Sequence, residues 1–331
     1  MKRQVLFLVL MGGVVITAAK QRGGGQPQPP RSVTMSPIPG VIAADAVWAI
    51  AWQGSDNADG IVGTDDGGLL FAQEQPNRVS KLDRADHVSV LLTDTHGAGA
   101  LSIDASGRII AVQRTCTDPG RNAAAGPCTE PTAIVALSPS RKILSDNMNR
   151  DPLGRLNDLI AAKSGDIYFT SGGAYRLDRA GHVTSLGENI RANGIMLSRD
   201  ERVLYVTNGN TILAFDVQPD GSTSRRRDFA TLTAGGAGDG MAIDADGRLY
   251  VTSAPGVQVF TADGSYVGLI PTPRPSISVA FSGLGKRTLF VVGSGATIDG
   301  KEFETPPGVR NNAKTIYRVP MLAAGFAGRA K

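Results

Sequence analysis

The 331-residue sequence predicts an all-β fold, a six-bladed β-propeller, from three observations. Gly and Pro are abundant, at 41 and 19 residues, and they separate many short Val/Ile/Leu/Tyr runs, which is typical of chains built from short strands and tight turns. One apolar anchor recurs roughly every 36 to 46 residues, and about 58 residues once, at Ile61, Leu101, Leu159, Ile195, Met241 and Val279. Each anchor opens the same strand–turn–strand pattern, so six four-stranded blades are expected around a central channel.

Each repeat reads as two antiparallel hairpins. Residues 101–112 (LSIDASGRIIAV) and 241–252 (MAIDADGRLYVT) are two apolar runs that flank a Gly turn, and a second hairpin follows in several repeats, as at residues 175–183. A single blade cannot bury both of its faces, whereas six blades stacked radially bury them and leave only short edges. Residues 316–319 are expected to complete the last blade or to close the ring with the N-terminal segment.

The N-terminus resembles an export signal. Lys2-Arg3 precedes an apolar run from Val5 to Ala18, and this run is shorter than the roughly 20 apolar residues that span a membrane comfortably. The predicted organisation is a signal peptide at 1–19, a flexible linker at 20–32 and the propeller at 33–331. We expect an exported protein, periplasmic or secreted, with no membrane span in the mature domain; an uncleaved N-terminal anchor is the alternative.

Both cysteines lie in one predicted loop. Cys116 and Cys128 flank a Gly/Pro/Asn-rich stretch, and in an oxidising compartment they are expected to form a disulfide. Closing a loop of this size stabilises a fold by roughly 3 kcal/mol in the chain-entropy account.

The charge pattern argues against nucleic-acid binding. The net charge is +4, but the basic residues are scattered and only 5% of residues are aromatic. Nucleic-acid surfaces combine a basic stripe with aromatic side chains, so no nucleic-acid partner is expected.

The position two residues before the anchor carries the functional signal. It holds Asp59, Asn157, Asn193 and Asp239 in four repeats, and Gly99 and Ile277 in the other two. In a propeller these positions meet at one mouth of the channel, where carboxylate and amide oxygens suit a hard cation such as Ca²⁺ or Mg²⁺. The alternative is that Asn-Gly and Asp-Gly are ordinary turns; each repeat already has its hairpin turn elsewhere, which favours a site.

The same segments resemble the senescence marker protein/gluconolactonase/luciferin-regenerating enzyme family. The most specific segments are RLNDL at 155–159, ANGI at 192–195 and GDGMAIDADGRLYV at 238–251. The resemblance implies a six-bladed propeller with one divalent cation at the channel mouth, and an enzyme that hydrolyses lactones or related esters.

The resemblance also implies roles for individual residues. Asn193 and Asp239 match metal ligands, Asn157 matches a polar residue close to the metal, and Arg155 matches a residue that contacts substrate. Asp59 falls where the family has a ligating Glu, with a side chain shorter by one carbon–carbon bond, about 1.5 Å. The predicted metal ligands are therefore Asp59, Asn157, Asn193 and Asp239.

Some positions depart from the family pattern. Asp45 competes with Asp59 for the ligating position because it precedes Val47-Trp48. Acidic residues expected at the ends of second strands are replaced by Gln73, Ser171 and Asn208. The predicted mouth is therefore less acidic than the family pattern implies.

The expected reaction is metal-dependent hydrolysis of a small lactone or sugar-derived substrate by a monomer. The cation would polarise the carbonyl, with Asp239 as the first candidate base, Asp158 as the second, and His96 assisting in substrate binding beside Arg155 and Asn157. Ca²⁺ is the favoured ion, with Mg²⁺, Mn²⁺ and Zn²⁺ as alternatives. The competing hypothesis is a non-catalytic secreted propeller that binds a sugar or a protein partner at the channel mouth.

Overall fold

The computed structural model describes residues 29–114, 130–307 and 309–328, which form six four-stranded antiparallel sheets. Blade 1 comprises β2 (Ile61–Gly63), β3 (Leu69–Gln73), β4 (Arg78–Leu82) and β5 (Val88–Thr93). Blade 2 comprises β6 (Ala98–Ile103), β7 (Ile109–Gln113), β8 (Ala133–Ala136) and β9 (Lys142–Ser145). Blade 3 comprises β12 (Leu159–Ala161), β13 (Ile167–Ser171), β14 (Gly173–Leu177) and β15 (Val183–Ser185). The six-bladed prediction is confirmed.

The remaining blades follow the same order of strands. Blade 4 comprises β16 (Ala192–Leu197), β17 (Val203–Asn208), β18 (Thr211–Val217) and β19 (Thr223–Thr231). Blade 5 comprises β20 (Met241–Ile243), β21 (Leu249–Ser253), β22 (Gly256–Phe260) and β23 (Tyr266–Pro271). Two short ribbons, β10 (Asn147–Met148) with β11 (Asp151–Pro152) and β26 (Thr297–Ile298) with β27 (Lys301–Glu302), and a 3₁₀ turn at Leu284–Lys286 complete the described elements.

Blade 6 closes the ring with strands from both ends of the chain. Its sheet order is β24 (Ser276–Ser282), β25 (Thr288–Ser294), β28 (Lys314–Pro320) and then β1 (Ala49–Gly54). The outermost strand β1 pairs antiparallel with β28, from Ala49 opposite Arg318 to Gly54 opposite Lys314. The two expectations for the C-terminal strand are thus both met, since it completes the last blade and also joins it to the N-terminal segment.

The apolar core lies between neighbouring blades. One buried cluster combines Val62 and Leu70 of blade 1 with Leu101, Ala111 and Val135 of blade 2. This is the interface that a blade cannot form alone, because a single sheet leaves one face uncovered.

The segment before β1 packs on blade 5. Val41 and Ile42 are buried against Val257 and Ile270. Contacts begin at Arg31, within the segment predicted as a linker: its backbone N–H donates to the Pro273 carbonyl at 2.8 Å.

The predicted signal peptide, linker residues 20–28 and the cysteines 116 and 128 lie outside the described residues. The export signal and the disulfide therefore stay predictions. In residues 29–114, 130–307 and 309–328, no helix is long and apolar enough to cross a membrane.

Candidate metal centre

A small cavity lies where the innermost strands of all six blades begin. Its volume is about 20 Å³, enough for a single water-sized particle. Its lining residues are Asp59, Gly60, Ala100, Asn157, Asp158, Asn193, Asp239, Gly240, Ile277 and Ser278. The four predicted ligands and Asp158 are therefore brought together.

Backbone pairing places three of the predicted ligands in the same register. The N–H groups of Asp59, Asn157 and Asp239 donate to carbonyls of the neighbouring second strands, at Ala72, Thr170 and Thr252, over 2.8–3.1 Å. The same hydrogen bond in three blades directs each side chain toward the common axis. In blade 4 the register shifts between Ala192 and Ile195, and such a bulge redirects a side chain, here that of Asn193.

The glycines that follow the ligands allow neighbouring blades to approach closely. None of Gly60, Gly194 and Gly240 has the positive φ of a turn glycine. A Cβ on Gly194 would lie 1.9 Å from the Asp239 carbonyl oxygen, and one on Gly60 would lie 2.4 Å from Cα of Ala100. The Asn-Gly and Asp-Gly pairs are therefore packing positions, and the turn interpretation does not describe them.

Asp158 and a buried threonine connect blade 3 to blade 4. The two Asp158 carboxylate oxygens accept from the backbone N–H groups of Leu159 at 2.9 Å and Ile195 at 3.1 Å. The Thr170 hydroxyl donates to the Asn193 carbonyl at 2.6 Å and accepts from the Asp158 N–H at 3.0 Å. These hydrogen bonds fix the separation of the two segments that carry Asn157 and Asn193.

Asp239 is the most perturbed carboxyl group of the site. Burial, followed by the negative charges of Asp59 and Asp158, raises the pKa of Asp239 to about 8, although a hydrogen bond from Asn193 opposes the shift. Burial disfavours the ionised carboxyl group most, and the field of the neighbouring negative charges adds to this effect. A divalent cation would relieve that field.

Sequence reasoning missed an arginine that contacts two of the four predicted ligands. Arg114, the first residue after β7, forms ion pairs with Asp59 at 2.5 Å and Glu74 at 2.6 Å. A signal for it was available in the sequence: Glu74 and Arg114 each follow a Gln that ends the second strand, in consecutive repeats. Glu74 also adds a carboxylate, paired with Arg114, to a mouth that the sequence analysis predicted to be less acidic than the family pattern implies.

Arg155 and His96 lie outside the cavity lining. Arg155 is exposed, and the pKa of its guanidinium is lowered by desolvation and then by the charges of Arg114 and Arg310. His96 Nδ1 lies 2.6 Å from a carboxylate oxygen of Glu130. The structure thus places neither residue against the cavity, and their proposed substrate contacts stay predictions.

The positions that depart from the family pattern have local contacts. Asp45 is exposed and precedes the outermost strand β1, so Asp59 and not Asp45 reaches the cavity. Gln73 accepts from Ser80 at 2.8 Å, Ser171 donates to the Leu153 carbonyl at 2.5 Å, and Asn208 accepts from the Arg191 N–H at 2.8 Å.

The side chains that line the cavity suit a hard cation only if the amide oxygens of the Asn residues bind it together with the carboxylates. Over the described ranges, no three His, Cys, Asp or Glu side chains are grouped so as to hold a metal. The cavity instead offers carboxylates and Asn side chains, which is an oxygen-only set of the kind that Ca²⁺ accepts. Asn193 and Asp239, adjacent on the lining, are the pair that fits best.

The raised pKa of Asp239 predicts how pH changes stability. The folded, ion-free protein retains a proton on Asp239 between the ordinary pKa of 3.8 and about 8, whereas the unfolded chain releases it. The free energy of unfolding therefore falls as pH rises through this window and levels off above it. Urea unfolding with chelator should be measured from pH 5 to 9. The free energy of unfolding should fall more steeply with pH in the wild type than in Asp239→Asn. If the difference in unfolding free energy between the two proteins does not change with pH, the prediction is wrong.

Comparisons with known proteins agree with this geometry. Residues 66–295 match the family model described as SMP-30/Gluconolactonase/LRE-like region. A gluconolactonase of Zymomonas mobilis is 30% identical over 196 residues, which cover 49% of this chain and 55% of the relative. The chain thus matches about half the length of this curated relative.

Solved structures show the same fold. A gluconolactonase from Xanthomonas campestris superposes with a TM-score of 0.68 at 23% identity, covering 91% of this chain and 99% of the other. Regucalcin from Agrobacterium tumefaciens, described as a calcium-binding protein, superposes with a TM-score of 0.61 at 15% identity, covering 87% and 97%. At these identities the structural similarity establishes the fold alone.

Proposed function

Because the chain belongs to the SMP-30/gluconolactonase/LRE-like family, we propose that it hydrolyses lactones with the help of a divalent cation at the channel mouth. The observation that carries this proposal is the convergence of Asn193, Asp239, Asp158 and Asp59 on one cavity of about 20 Å³. Because burial raises the pKa of Asp239 at this point, its carboxyl group is a candidate general acid or base.

Asn193 and Asp239 would hold the cation, with Asp59 and Asn157 beside them. When bound, the cation would supply Lewis-acid polarisation of the lactone carbonyl. Ca²⁺ is the favoured ion because the donors are all oxygens and because a structural neighbour is described as calcium-binding; Mg²⁺, Mn²⁺ and Zn²⁺ are the alternatives.

Asp239 is the favoured base for the attacking water. Its carboxyl group lines the cavity, and burial raises its pKa to about 8 in the ion-free protein. With a cation bound, the group would stay ionised, so that it could accept the water proton as a general base. The water oxygen would bond to the carbonyl carbon, Asp239 would take the water proton, and the bond to the ring oxygen would break. The ring oxygen would leave with the proton that Asp239 took from the water, giving an open-chain hydroxy acid and the free Asp239 carboxylate.

Asp158 is the second candidate base, and its contacts make it less suited to the role. Both of its carboxylate oxygens already accept backbone N–H groups, from Leu159 and Ile195, and these bonds hold the carboxylate against the backbone of blades 3 and 4. Arg155, which is exposed two residues before Asn157, would bind the hydroxyl or carboxylate oxygens of the substrate as a charged donor.

A chelator experiment tests the proposal. The purified protein should open glucono-δ-lactone in a pH-stat assay, and the rate above the spontaneous reaction should fall at least tenfold after treatment with EDTA. Added Ca²⁺ should restore the rate. Hydrolysis that is unaffected by chelator would contradict the role of the cation.

The second candidate function is a binding module that uses the same mouth without chemistry. It is favoured by one observation, namely that Arg114 already neutralises part of the acidic cluster through Asp59 and Glu74. Turnover separates the two functions: cation binding without hydrolysis across a panel of sugar and aromatic lactones would favour the binding module.

A further inference from the structure

Arg114 is a buried arginine beside the cavity, and all of its guanidinium N–H groups form hydrogen bonds. It is 2% exposed. Its Nε donates to the Leu156 carbonyl at 2.8 Å, and its Nη1 donates to Asp59 at 2.5 Å and Glu74 at 2.6 Å. Its Nη2 donates to both oxygens of Asn157, the carbonyl and Oδ1. These bonds employ all five N–H groups of the side chain and join blades 1, 2 and 3.

Gly99 provides the space for this side chain. A Cβ at Gly99 would lie 2.2 Å from Cζ of Arg114 and 2.3 Å from its Nε. Any other residue at position 99 would displace the guanidinium. Blade 2 therefore has no oxygen donor at the anchor-minus-two position, and an arginine from the same blade fills the space that the glycine leaves.

The N–H groups of Arg114 also set the orientation of the side-chain amides of Asn157 and Asn193. A guanidinium only donates, so Asn157 accepts through Oδ1 and presents its Nδ2 to Oδ1 of Asn193. Asn193 in turn donates to the carboxyl group of Asp239. A directed chain of hydrogen bonds thus runs from Arg114 through two amides to Asp239.

We propose that Arg114 is a positioning residue that removes Asp59 from the direct ligands of the cation. Asp59 is then the counter-ion of Arg114, and Asp239 is the carboxylate that binds the cation directly, with Asn193 beside it. This inference rests on the proposed function only in that a cation binds at this cavity.

The burial of the pair explains why Asp59 stays with Arg114. Moving Asp59 onto a cation would leave the buried guanidinium with Glu74 as its only charged partner among the described residues. Separating one member of a buried ion pair is strongly unfavourable. A cation that bound Asp59 directly would therefore have to offset the free energy lost when the Asp59–Arg114 ion pair separates.

Titration calorimetry with Ca²⁺ tests this inference. If Asp59 is not a direct ligand, Asp59→Asn changes the Ca²⁺ dissociation constant by less than tenfold. A loss of tenfold or more overturns the proposal. This substitution keeps the size of the side chain, and Asp59 is only half-buried.

A double variant that leaves the net charge unchanged gives the complementary test. Arg114→Met with Glu74→Gln removes one positive and one negative charge and frees Asp59, so Ca²⁺ should bind at least tenfold more tightly. In that background Asp59→Asn should cost at least tenfold. Unchanged or weaker binding by the folded double variant overturns the proposal, as does absence of binding in every protein.

A matched control lies in the turn between β6 and β7 of the same blade, at the end of β6 far from the cavity. Arg108 and Asp104 form an ion pair at 2.8 Å, and Arg108→Met with Asp104→Asn removes the same two charges away from the mouth. This control should leave Ca²⁺ affinity unchanged within threefold. If the affinities follow the expected pattern but no lactone is hydrolysed, the proposed function fails while the role of Arg114 stands.

Discussion

Replacing Asp239 by Asn is expected to lower lactone hydrolysis at least 1,000-fold and to weaken Ca²⁺ binding at least 100-fold. The substitution preserves shape but removes both the charge and the proton acceptor. General-base catalysis alone contributes typically about 10²–10⁴-fold, and a charged oxygen donor to the cation is lost as well. Initial rates on glucono-δ-lactone and calorimetric Ca²⁺ titration measure the two effects separately.

Asp45→Asn is the matched control for this experiment. Asp45 is the other carboxylate that the sequence offers for a ligating position, yet it is exposed near the outer edge of blade 6. It should retain wild-type activity and affinity. Wild-type hydrolysis by Asp239→Asn would remove Asp239 from the mechanism, and equal losses in both variants would point to a general effect of charge.

Replacing Gly194 by Ala is expected to destabilise the fold by about 2–3 kcal/mol and to lower Ca²⁺ affinity at least 100-fold. The added Cβ would lie 1.9 Å from the Asp239 carbonyl oxygen, a distance that forces the backbones of blades 4 and 5 apart. Asn193 and Asp239 sit on those two blades, so the movement separates the two proposed ligands. Urea unfolding and calorimetry report the two losses.

Gly173→Ala is the control for substituting a glycine in this fold. Its Cβ would meet only the Tyr175 ring, with the hydroxyl at 3.1 Å, and a side-chain end moves more easily than a backbone. We expect less than 1 kcal/mol of destabilisation, as for tolerated changes of core volume, and unchanged Ca²⁺ affinity. If Gly194→Ala behaves like this control, the close approach of the blades is not what assembles the site.

The repeated motif thus has two physical parts. The oxygen-bearing residue faces the axis, and in three of the four repeats the glycine after it lets the next blade approach to backbone contact. In blade 3, Asp158 occupies the position of that glycine. Neither part is informative alone, because Asp-Gly and Asn-Gly also mark turns. Their recurrence at one position, together with hairpin turns such as Ser106-Gly107 elsewhere in each repeat, is what separated a site from a turn.

Much of this architecture is determined by local patterns in the sequence. The period of the anchors identified six blades, and the position of Asp59, Asn157, Asn193 and Asp239 relative to those anchors identified the mouth. Such predictions succeed because a propeller is an approximate repeat: one strand register, read in one blade, applies to the others by rotation.

Only the tertiary structure decided what the mouth residues contact. The pairing of Arg114 with Asp59, the space left by Gly99 and the orientation of the Asn157 and Asn193 amides depend on residues from different blades. Each of these contacts depends on distances between neighbouring blades, and a one-dimensional period contains no such distances. The sequence alone therefore determined where the oxygens gather, while packing between blades determined which of them pair with Arg114.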